Sequence, residues 1–436
     1  SCVVGSRHLH TPALDRLAGE GVRFTRGYTA CPVCIPARNA LFTGLQAHQT
    51  GILCNRWHPR NPAGDRTDPP VRLPSEIRGM GTYFAEAGCE TAYFGKWHLN
   101  FDLARAEHHG FETVGAVHNV GGDPRIAQAA GDYLQGPHDK PFMAVVSFCD
   151  PHDICQWADG RALPGGELPA PPGEEGLPPL RSNIAPTREE PEILRKLREA
   201  YYRVHVRQEA ETAEGARECR ALAWAYHRLI ERVDGLIGSV LEALEASGHA
   251  DDTVVIYTSD HGEMLGAHGL VQKTFFYEEA IHVPFMVRVP GGPAGTCDAL
   301  VNNCADTLPT LLDFAGLGAG DGLPGRSVRP VMEGSGEGAE RACVVGQSHF
   351  CHPKMPDDVP DTYGRMVRSR RYNYWLFDQG EACEVLFDNG AGCDEMRNLA
   401  GRPESAAALA EHRAHLARHA EQTQDDQAAA MLARVG

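Results

Sequence analysis

The sequence predicts an α/β fold with a mostly parallel sheet flanked by helices and a smaller antiparallel sheet towards the C-terminus. Continuous apolar runs at 142–148 and 253–258 are typical of strands that are covered on both faces. Helical patterns separate these strands, and this alternation favours parallel pairing. Beyond about Ser335 the runs become short and closely connected, which favours antiparallel pairing. We therefore predict two domains, residues 1–335 and 336–436.

Composition restricts the classes of partner. A chain of 436 residues is long enough for one large domain and one smaller domain. The net charge of −17 argues against nucleic acid or an anionic membrane as a partner, and no apolar run is long enough to predict a membrane span. An anionic substrate would need a local cluster of positive side chains. The fourteen cysteines have irregular spacing and leave a periplasmic, secreted or cytoplasmic location open.

The first predicted elements are a helix and a strand of ordinary type. Thr11 and Pro12, followed by apolar residues at helical spacing, predict a short helix that ends at Gly21. Residues 91–94 predict a buried strand after a helix that ends near Gly88.

Polar residues follow three of the predicted strands. Open α/β sheets place their chemistry at the carboxyl ends of strands, so these side chains are candidates for one site. They are Lys96 and His98, then His152, and then Asp260 with His261.

The later chain supplies a long helix and the second sheet. A segment rich in proline and glycine at 163–191 predicts a surface excursion and a candidate lid. Apolar residues at helical spacing over 213–246, closed by Gly248, predict a long helix that faces the core. The C-terminal part then contains four short strand patterns and a helical pattern, at 343–345, 365–368, 372–377, 385–387 and from about Pro403.

The turn at Cys31 to Gly44 contains the chain's most distinctive motif. Cys31-x-x-Cys34 is compatible with a redox pair or with half of a zinc site, and both need a stabilised thiolate. A zinc ribbon needs a second Cys-x-x-Cys, which the sequence lacks. A structural cysteine-proline turn is a further alternative.

Cys34, Pro36, Arg38 and the run Leu41 to Gly44 closely resemble the signature of the type I sulfatases. This family has the alkaline-phosphatase-like fold, and the resemblance extends over nearly the whole chain. It implies that a formylglycine-generating enzyme oxidises Cys34 to formylglycine, whose hydrated aldehyde attacks the sulfur of a sulfate ester. Cys31 does not fit this role, because the positions that the motif fills with proline and arginine hold other residues.

The resemblance also implies roles for other residues. Arg38 would hold the aldehyde hydrate and its turn, and Lys96 would bind the hydrate or the sulfate. His98 would remove the second hydroxyl proton to regenerate the aldehyde. His152 and Lys273 would contact the sulfate or the leaving group.

The family binds a divalent metal, usually Ca²⁺, at the position of Asp260 and His261 and next to residue 34. It takes further aspartate ligands from a strand upstream of Thr11, and the ten residues before Thr11 contain no acidic residue. We expect that strand and its ligands to precede Ser1. For a chain that begins at Ser1, an inactive glycan-binding relative would be the better interpretation.

The sequence thus predicts a metal-dependent sulfatase that acts on a small-molecule or oligosaccharide sulfate ester. Hydrolysis of phosphonate monoesters or phosphodiesters is the alternative. The predicted substrate loops are Asp153 to Trp157, the proline-rich stretch to Pro191, and His349 to Tyr363, because binding residues concentrate on loops carried by a rigid scaffold. These loops carry a mixture of side chains that suits the hydroxyl groups and ring of a sugar better than an aryl group, namely Asp153, Trp157, His352 and Lys354. His268 is a further candidate for the pocket rim.

Overall fold

The computed structural model describes residues 8–55, 72–118, 121–205, 212–318, 320, 322–334, 340–351, 361–392 and 394–436. Within these ranges the α-helices are α1 (Pro12–Glu20), α2 (Cys34–Thr43), α3 (Ala47–Thr50), α4 (Met80–Glu86), α5 (Ala106–His109), α6 (Asp123–Leu134), α7 (Ile154–Ala158), α8 (Glu192–His205), α9 (Ala213–Ala246), α10 (Glu278–Ile281), α11 (Asn303–Phe314), α12 (Arg329–Met332), α13 (Ala406–Thr423) and α14 (Asp426–Leu432). Short 3-10 turns occur at Glu174–Gly176, Ala267–Gly269, Asn389–Ala391 and Pro403–Ser405.

The strands form three sheets. In chain order they are β1 (Val22–Tyr28), β2 (Glu90–Gly95), β3 (Thr113–Gly115), β4 (Phe142–Ser147), β5 (Val255–Thr258), β6 (Phe285–Arg288), β7 (Gly295–Asn302), β8 (Cys343–His349), β9 (Tyr363–Ser369), β10 (Tyr372–Phe377) and β11 (Glu384–Asp388). The sheet orders are β5-β6-β1-β7, β3-β2-β4 and β11-β10-β9-β8.

The predicted α/β class is confirmed. The sheet β3-β2-β4 is parallel, and β1 is parallel to β7. However, β6 runs antiparallel to both β1 and β5, so the second sheet is mixed. Within the described ranges, β4 and β5 each have a strand neighbour on one edge only.

The C-terminal sheet is antiparallel, as predicted, and it packs against the rest of the molecule. Its buried residues, which include Trp375 and Leu386, belong to one apolar cluster with Tyr28 of β1 and Leu194 of α8. The cluster thus crosses the predicted domain boundary near Ser335, which stays a prediction.

The parallel pairing of β2 with β4 brings two strand ends together. Gly95 lies opposite Ser147, so the residues that follow the two strands leave the sheet side by side. Gly95 has a φ of 105°, and a Cβ at this position would lie 2.1 Å from the Ser147 carbonyl oxygen. Only glycine therefore allows this approach just before Lys96.

Two helices and one loop illustrate how well local patterns predict the fold. The helices α1 and α9 match their predicted ranges, and the Thr212 hydroxyl caps α9 by accepting a hydrogen bond from the Gly215 amide. The loop from residue 163 packs Leu163 and Leu177 against α9. Leu41 to Thr43 form the last turn of α2, and Gly44 ends the helix in the left-handed conformation.

No helix in the described ranges combines the length and apolar character that a membrane span requires.

A buried ion pair joins the C-terminal helices to the antiparallel sheet. The Arg365 guanidinium donates two hydrogen bonds to the Asp425 carboxylate, at 2.7 and 2.8 Å, and both side chains are almost fully buried. Asp425 also caps α14 by accepting from the Ala428 amide at 3.0 Å.

We expect Asp425→Asn to lower the free energy of unfolding by about 3–5 kcal/mol, because it leaves the buried guanidinium without a counter-charge while keeping a capping side chain. Asp426→Asn, at an exposed neighbouring carboxylate, is the matched control and should cost less than about 1 kcal/mol. Urea unfolding followed by circular dichroism measures both variants. Equal midpoints for the two would show that the ion pair does not stabilise the fold.

Candidate active site

Cys34 is the first residue of α2, and its side chain is buried. The residue before it, Val33, has no capping side chain. Instead, the Asn55 side-chain oxygen accepts a hydrogen bond from the Ile35 amide at 2.9 Å. The thiol therefore lies at a helix N-terminus, where the backbone dipoles favour negative charge.

Arg38 lies one turn further along α2 and fixes the loop after β2. Its guanidinium donates to the carbonyl oxygens of Lys96 and Trp97 at 2.6 and 3.0 Å. It also donates to the hydroxyls of Tyr93 and Ser147 at 2.6 and 2.9 Å. Arg38 thus orients the loop that carries Lys96 and His98.

Lys96 and His98 reach Cys34 from this loop. Lys96 is buried, its amide donates to the Ser147 carbonyl oxygen at 2.8 Å, and its ammonium lies 3.8 Å from an Asp260 carboxylate oxygen. The His98 imidazole hydrogen-bonds to the Cys34 thiol, and burial lowers the pKa of His98. The imidazole is therefore a neutral proton acceptor near neutral pH.

Asp260 and His261 follow β5 and approach Cys34 from a second strand end. The His261 Nε2 atom lies 3.0 Å from the Cys34 sulfur, and Nδ1 lies 2.8 Å from the Gly262 carbonyl oxygen. Because a carbonyl oxygen only accepts, Nδ1 carries a hydrogen. Burial would lower the pKa of His261, but the negative charges of Asp260 and Cys34 outweigh burial and raise it, so Nε2 can also carry a hydrogen and donate it to the sulfur. Asn303 holds this strand end by donating to the Ser259 carbonyl oxygen at 2.6 Å.

His152 and Lys273 complete the group of side chains that act on Cys34. The pKa of His152 is lowered to about 3. The positive charge of the buried Lys273 contributes most to this decrease, followed by the burial of His152 and the charge of Lys96. Burial would lower the pKa of Lys273, but the negative charge at Cys34 and further acidic groups outweigh burial and raise it.

The thiol of Cys34 shows how positive this pocket is. Burial alone would raise the pKa of the thiol. Lys273 and Lys96, followed by His261, outweigh burial and hold this pKa well below its usual range. The local positive cluster that an anionic substrate needs in this acidic protein is thus present at residue 34.

The donor atoms at this position suit part of a cation site. A sulfur atom of Cys34, a carboxylate oxygen of Asp260 and a ring nitrogen of His261 all lie within 4.8 Å of one another. Asp260 Oδ2 is buried and has no hydrogen-bond partner in the described part of the chain. A buried carboxylate oxygen of this kind fits a hard divalent cation, and Ca²⁺ takes six to eight oxygen ligands in all.

The outcome for the remaining predicted residues differs from one to the next. His268 is buried and stacks on the Tyr277 ring at 3.7 Å between centroids, so the expected position at the pocket rim was wrong. Asp153 is buried with a carboxylate oxygen 3.9 Å from the Arg232 guanidinium, and Trp157 packs in an apolar cluster with Trp224. His352 and Lys354 fall outside the described residues.

Sequence reasoning missed several residues that support the site. Tyr93 and Ser147 accept hydrogen bonds from Arg38, and Asn55 caps the helix at Cys34. Glu263 is half-buried near Lys273; burial raises the pKa of Glu263, and the charge of Lys273 offsets only part of that increase. For Glu263 alone a signal was available, since it follows Asp260 and His261 at the same strand end.

Comparison with known proteins identifies matching families and related proteins that are named as sulfatases. Residues 3–317 match the family described as Sulfatase, and residues 266–422 match N-sulphoglucosamine sulphohydrolase, C-terminal. The Delta 4,5-hexuronate-2-O-sulfatase of Bacteroides thetaiotaomicron is 30% identical over 433 residues, covering 95% of this chain and 85% of the relative. The Ulvan-active sulfatase of Formosa agariphila is 28% identical, covering 92% and 74%.

Solved structures agree with these relatives. A 2-O GAG sulfatase superposes with a TM-score of 0.79 at 27% identity, covering 98% of this chain and 90% of the other. The phosphonate monoester hydrolase of Agrobacterium radiobacter shares the fold, with a TM-score of 0.72 at 21% identity, covering 97% and 93%. Because the Sulfatase match spans well over half of its residues, this chain belongs to the sulfatase family, within the alkaline-phosphatase-like superfamily.

Proposed function

We propose that this enzyme hydrolyses a sulfate ester of a carbohydrate through formylglycine formed from Cys34, with a divalent cation, Ca²⁺, bound at Asp260, His261 and residue 34. One observation carries the proposal. The Cys34 sulfur lies 3.0 Å from His261 and hydrogen-bonds to His98, in a pocket whose charges hold its pKa well below the usual range.

Formylglycine and the cation would each supply one function. Hydrated formylglycine would supply one hydroxyl group as the nucleophile towards sulfur, and its second hydroxyl group would allow sulfate to be released with return of the aldehyde. The cation would be held by Asp260 and His261 and would offset the charge of the sulfate oxygens.

The two buried lysines bind the sulfate group. Lys96 and Lys273 already hold negative charge at residue 34, because both lower the pKa of the thiol. Sulfate oxygens carry the same sign of charge and would gain from the same field. A pocket shielded from water makes each of these interactions stronger than it would be at the surface.

The two histidines divide the proton transfers. His98 hydrogen-bonds to residue 34, and its lowered pKa leaves it neutral, so it can accept a proton from the hydroxyl group there. The charges of Lys273 and Lys96 keep His152 neutral in the absence of substrate. A bound sulfate would offset those charges, so His152 gains basicity and can hold a proton for the leaving oxygen.

Arg38 acts as a positioning residue in this scheme. Its hydrogen bonds go to the backbone of Lys96 and Trp97 and to two hydroxyls, so it fixes the loop rather than the substrate.

A carbohydrate substrate is supported by the relatives. The hexuronate-2-O-sulfatase and the Ulvan-active sulfatase are both carbohydrate sulfatases by name, and they match over most of the chain. The phosphonate monoester hydrolase is the second candidate, because it shares the fold, and a multifunctional alkaline phosphatase superfamily protein of Trinickia caryophylli is 26% identical.

Coexpression with a formylglycine-generating enzyme should convert Cys34, and the peptide that contains it should lose about 18 Da. Cys34→Ala should lower kcat by at least about 10⁴-fold, because the nucleophile is removed. Cys31→Ala is the matched control and should keep both the mass loss and most of the activity. Peptide mass spectrometry and initial rates measure these outcomes, and full turnover by Cys34→Ala would exclude the mechanism.

Asp260→Asn should weaken divalent-cation binding by at least about ten-fold and reduce turnover with it, because a hard cation loses a carboxylate ligand. Asp252→Asn, in a turn where the carboxylate is largely exposed, should change neither quantity. Metal analysis after dialysis and calcium-dependent rates provide the readouts. Unchanged metal content with unchanged rates would show that Asp260 is not a ligand.

His152→Ala should reduce kcat/KM by about 10²- to 10⁴-fold for sulfated saccharides and much less for 4-nitrophenyl sulfate, because only the sugar alcohol needs a proton to leave. His108→Ala, on α5 away from the site, is the control. The same panel should include a phenyl phosphonate ester, which we expect to react more slowly than the saccharide sulfates. Faster phosphonate turnover would favour the second candidate, and equal losses for both leaving groups would exclude this role of His152.

A further inference from the structure

A second group of metal-ligating side chains lies at the end of β8 and shares no residue with the group at Cys34. Cys54, His349 and Cys351 each offer one ligand atom, and these atoms lie within 4.8 Å of one another. Cys54 follows α3, whereas the other two residues lie at the end of β8. The two groups share no residue, so this cluster is independent of the proposed function.

The backbone around β8 brings two of the ligands to the same side. The Cys351 amide donates to the His349 carbonyl oxygen at 2.8 Å, which closes a tight turn between them. Phe350, between them, is buried, and its amide donates to the Thr362 carbonyl oxygen at 2.8 Å. The turn is therefore anchored by its central residue, and His349 and Cys351 flank that residue.

The imidazole of His349 is oriented in the way that metal-ligating histidines usually are. Its Nε2 atom lies 2.6 Å from an Asp361 carboxylate oxygen, and its ring stacks on Tyr363 at 4.1 Å between centroids. The Cys54 thiol hydrogen-bonds to the same imidazole. A carboxylate that accepts the Nε2 hydrogen leaves the Nδ1 lone pair for a metal ion.

We propose that Cys54, His349 and Cys351 bind a zinc ion. Two sulfur atoms and one imidazole nitrogen form a soft ligand set that suits Zn²⁺ and not Ca²⁺. Both cysteines are only half-buried, so water can reach the fourth coordination position. Each thiol releases its proton to solvent on binding, and no oxidation or reduction is involved.

The ion would connect the C-terminal sheet to the helix that carries Cys34. Cys54 precedes Asn55, whose side chain accepts the hydrogen bond from the Ile35 amide at 2.9 Å. Zinc at Cys54 therefore fixes the residue that caps the N-terminus of α2 and ties it to β8 and β9. This is a structural metal site whose effect reaches the catalytic position.

The test uses the full chain carrying Cys34→Ala, which removes the thiol of the other cluster. The reduced, chelator-treated protein is titrated with Co²⁺ alone and then with Zn²⁺ alone. We expect one equivalent of cobalt to give near-ultraviolet thiolate-to-metal absorption, and zinc to displace it. Adding Cys54→Ser or Cys351→Ser should lower zinc affinity by at least about 100-fold, and Asp361→Asn by about 10- to 100-fold. Cys89→Ser, at a half-buried cysteine before β2, should change nothing.

A measurement on the unmutated chain guards against variants that fail to fold. Zinc should slow alkylation of Cys54 and Cys351, measured by peptide mass spectrometry, and should leave Cys89 unaffected. Equal alkylation rates with and without zinc would overturn the proposal. So would thiolate absorption that is undiminished when both Cys54 and Cys351 are replaced by serine, or a peptide cross-link showing a disulfide between Cys54 and Cys351 together with no metal uptake after reduction.

Discussion

The arrangement at the active site depends on the buried guanidinium of Arg38. It joins α2 to the loop after β2, and its partners are two carbonyl oxygens and two hydroxyls instead of a carboxylate. The charge is thus solvated by the protein but not neutralised. Arg38 therefore connects α2 rigidly to the loop after β2, and it also places a positive charge near Cys34.

The pocket around Cys34 is positively charged, whereas the protein as a whole is negatively charged. The protein has a net charge of −17, yet Lys96 and Lys273 are buried beside residue 34, where Asp260 is the nearest carboxylate contact of Lys96. Buried lysines are costly unless an anion accompanies them. Under the proposed function the substrate itself would provide that anion, and binding energy and selectivity for a sulfate ester would then have the same origin.

The sequence was sufficient for the parts of the structure that depend on local patterns. The rule that α/β sheets carry their chemistry at strand carboxyl ends predicted Lys96, His152 and Asp260 as neighbours. In the structure the Lys96 ammonium lies 3.8 Å from an Asp260 carboxylate oxygen, and its charge contributes to the lowered pKa of His152. Strand direction was not predictable in the same way, since the four-residue strand β6 has an apolar pattern that suits either orientation. His268 was misassigned because its stacking on Tyr277 depends on packing that no local pattern contains.

The cluster of Cys54, His349 and Cys351 also could not be predicted from local sequence patterns. Cysteine spacing along the chain excluded a zinc ribbon, yet folding brings Cys54 to His349 and Cys351 from a distant segment. The consequence extends to catalysis, because the next residue, Asn55, caps the helix at Cys34. Arg38 holds that helix from its inner side and Asn55 holds its first turn. A metal ion bound at Cys54 would therefore also hold Asn55, which is one of the contacts that position Cys34.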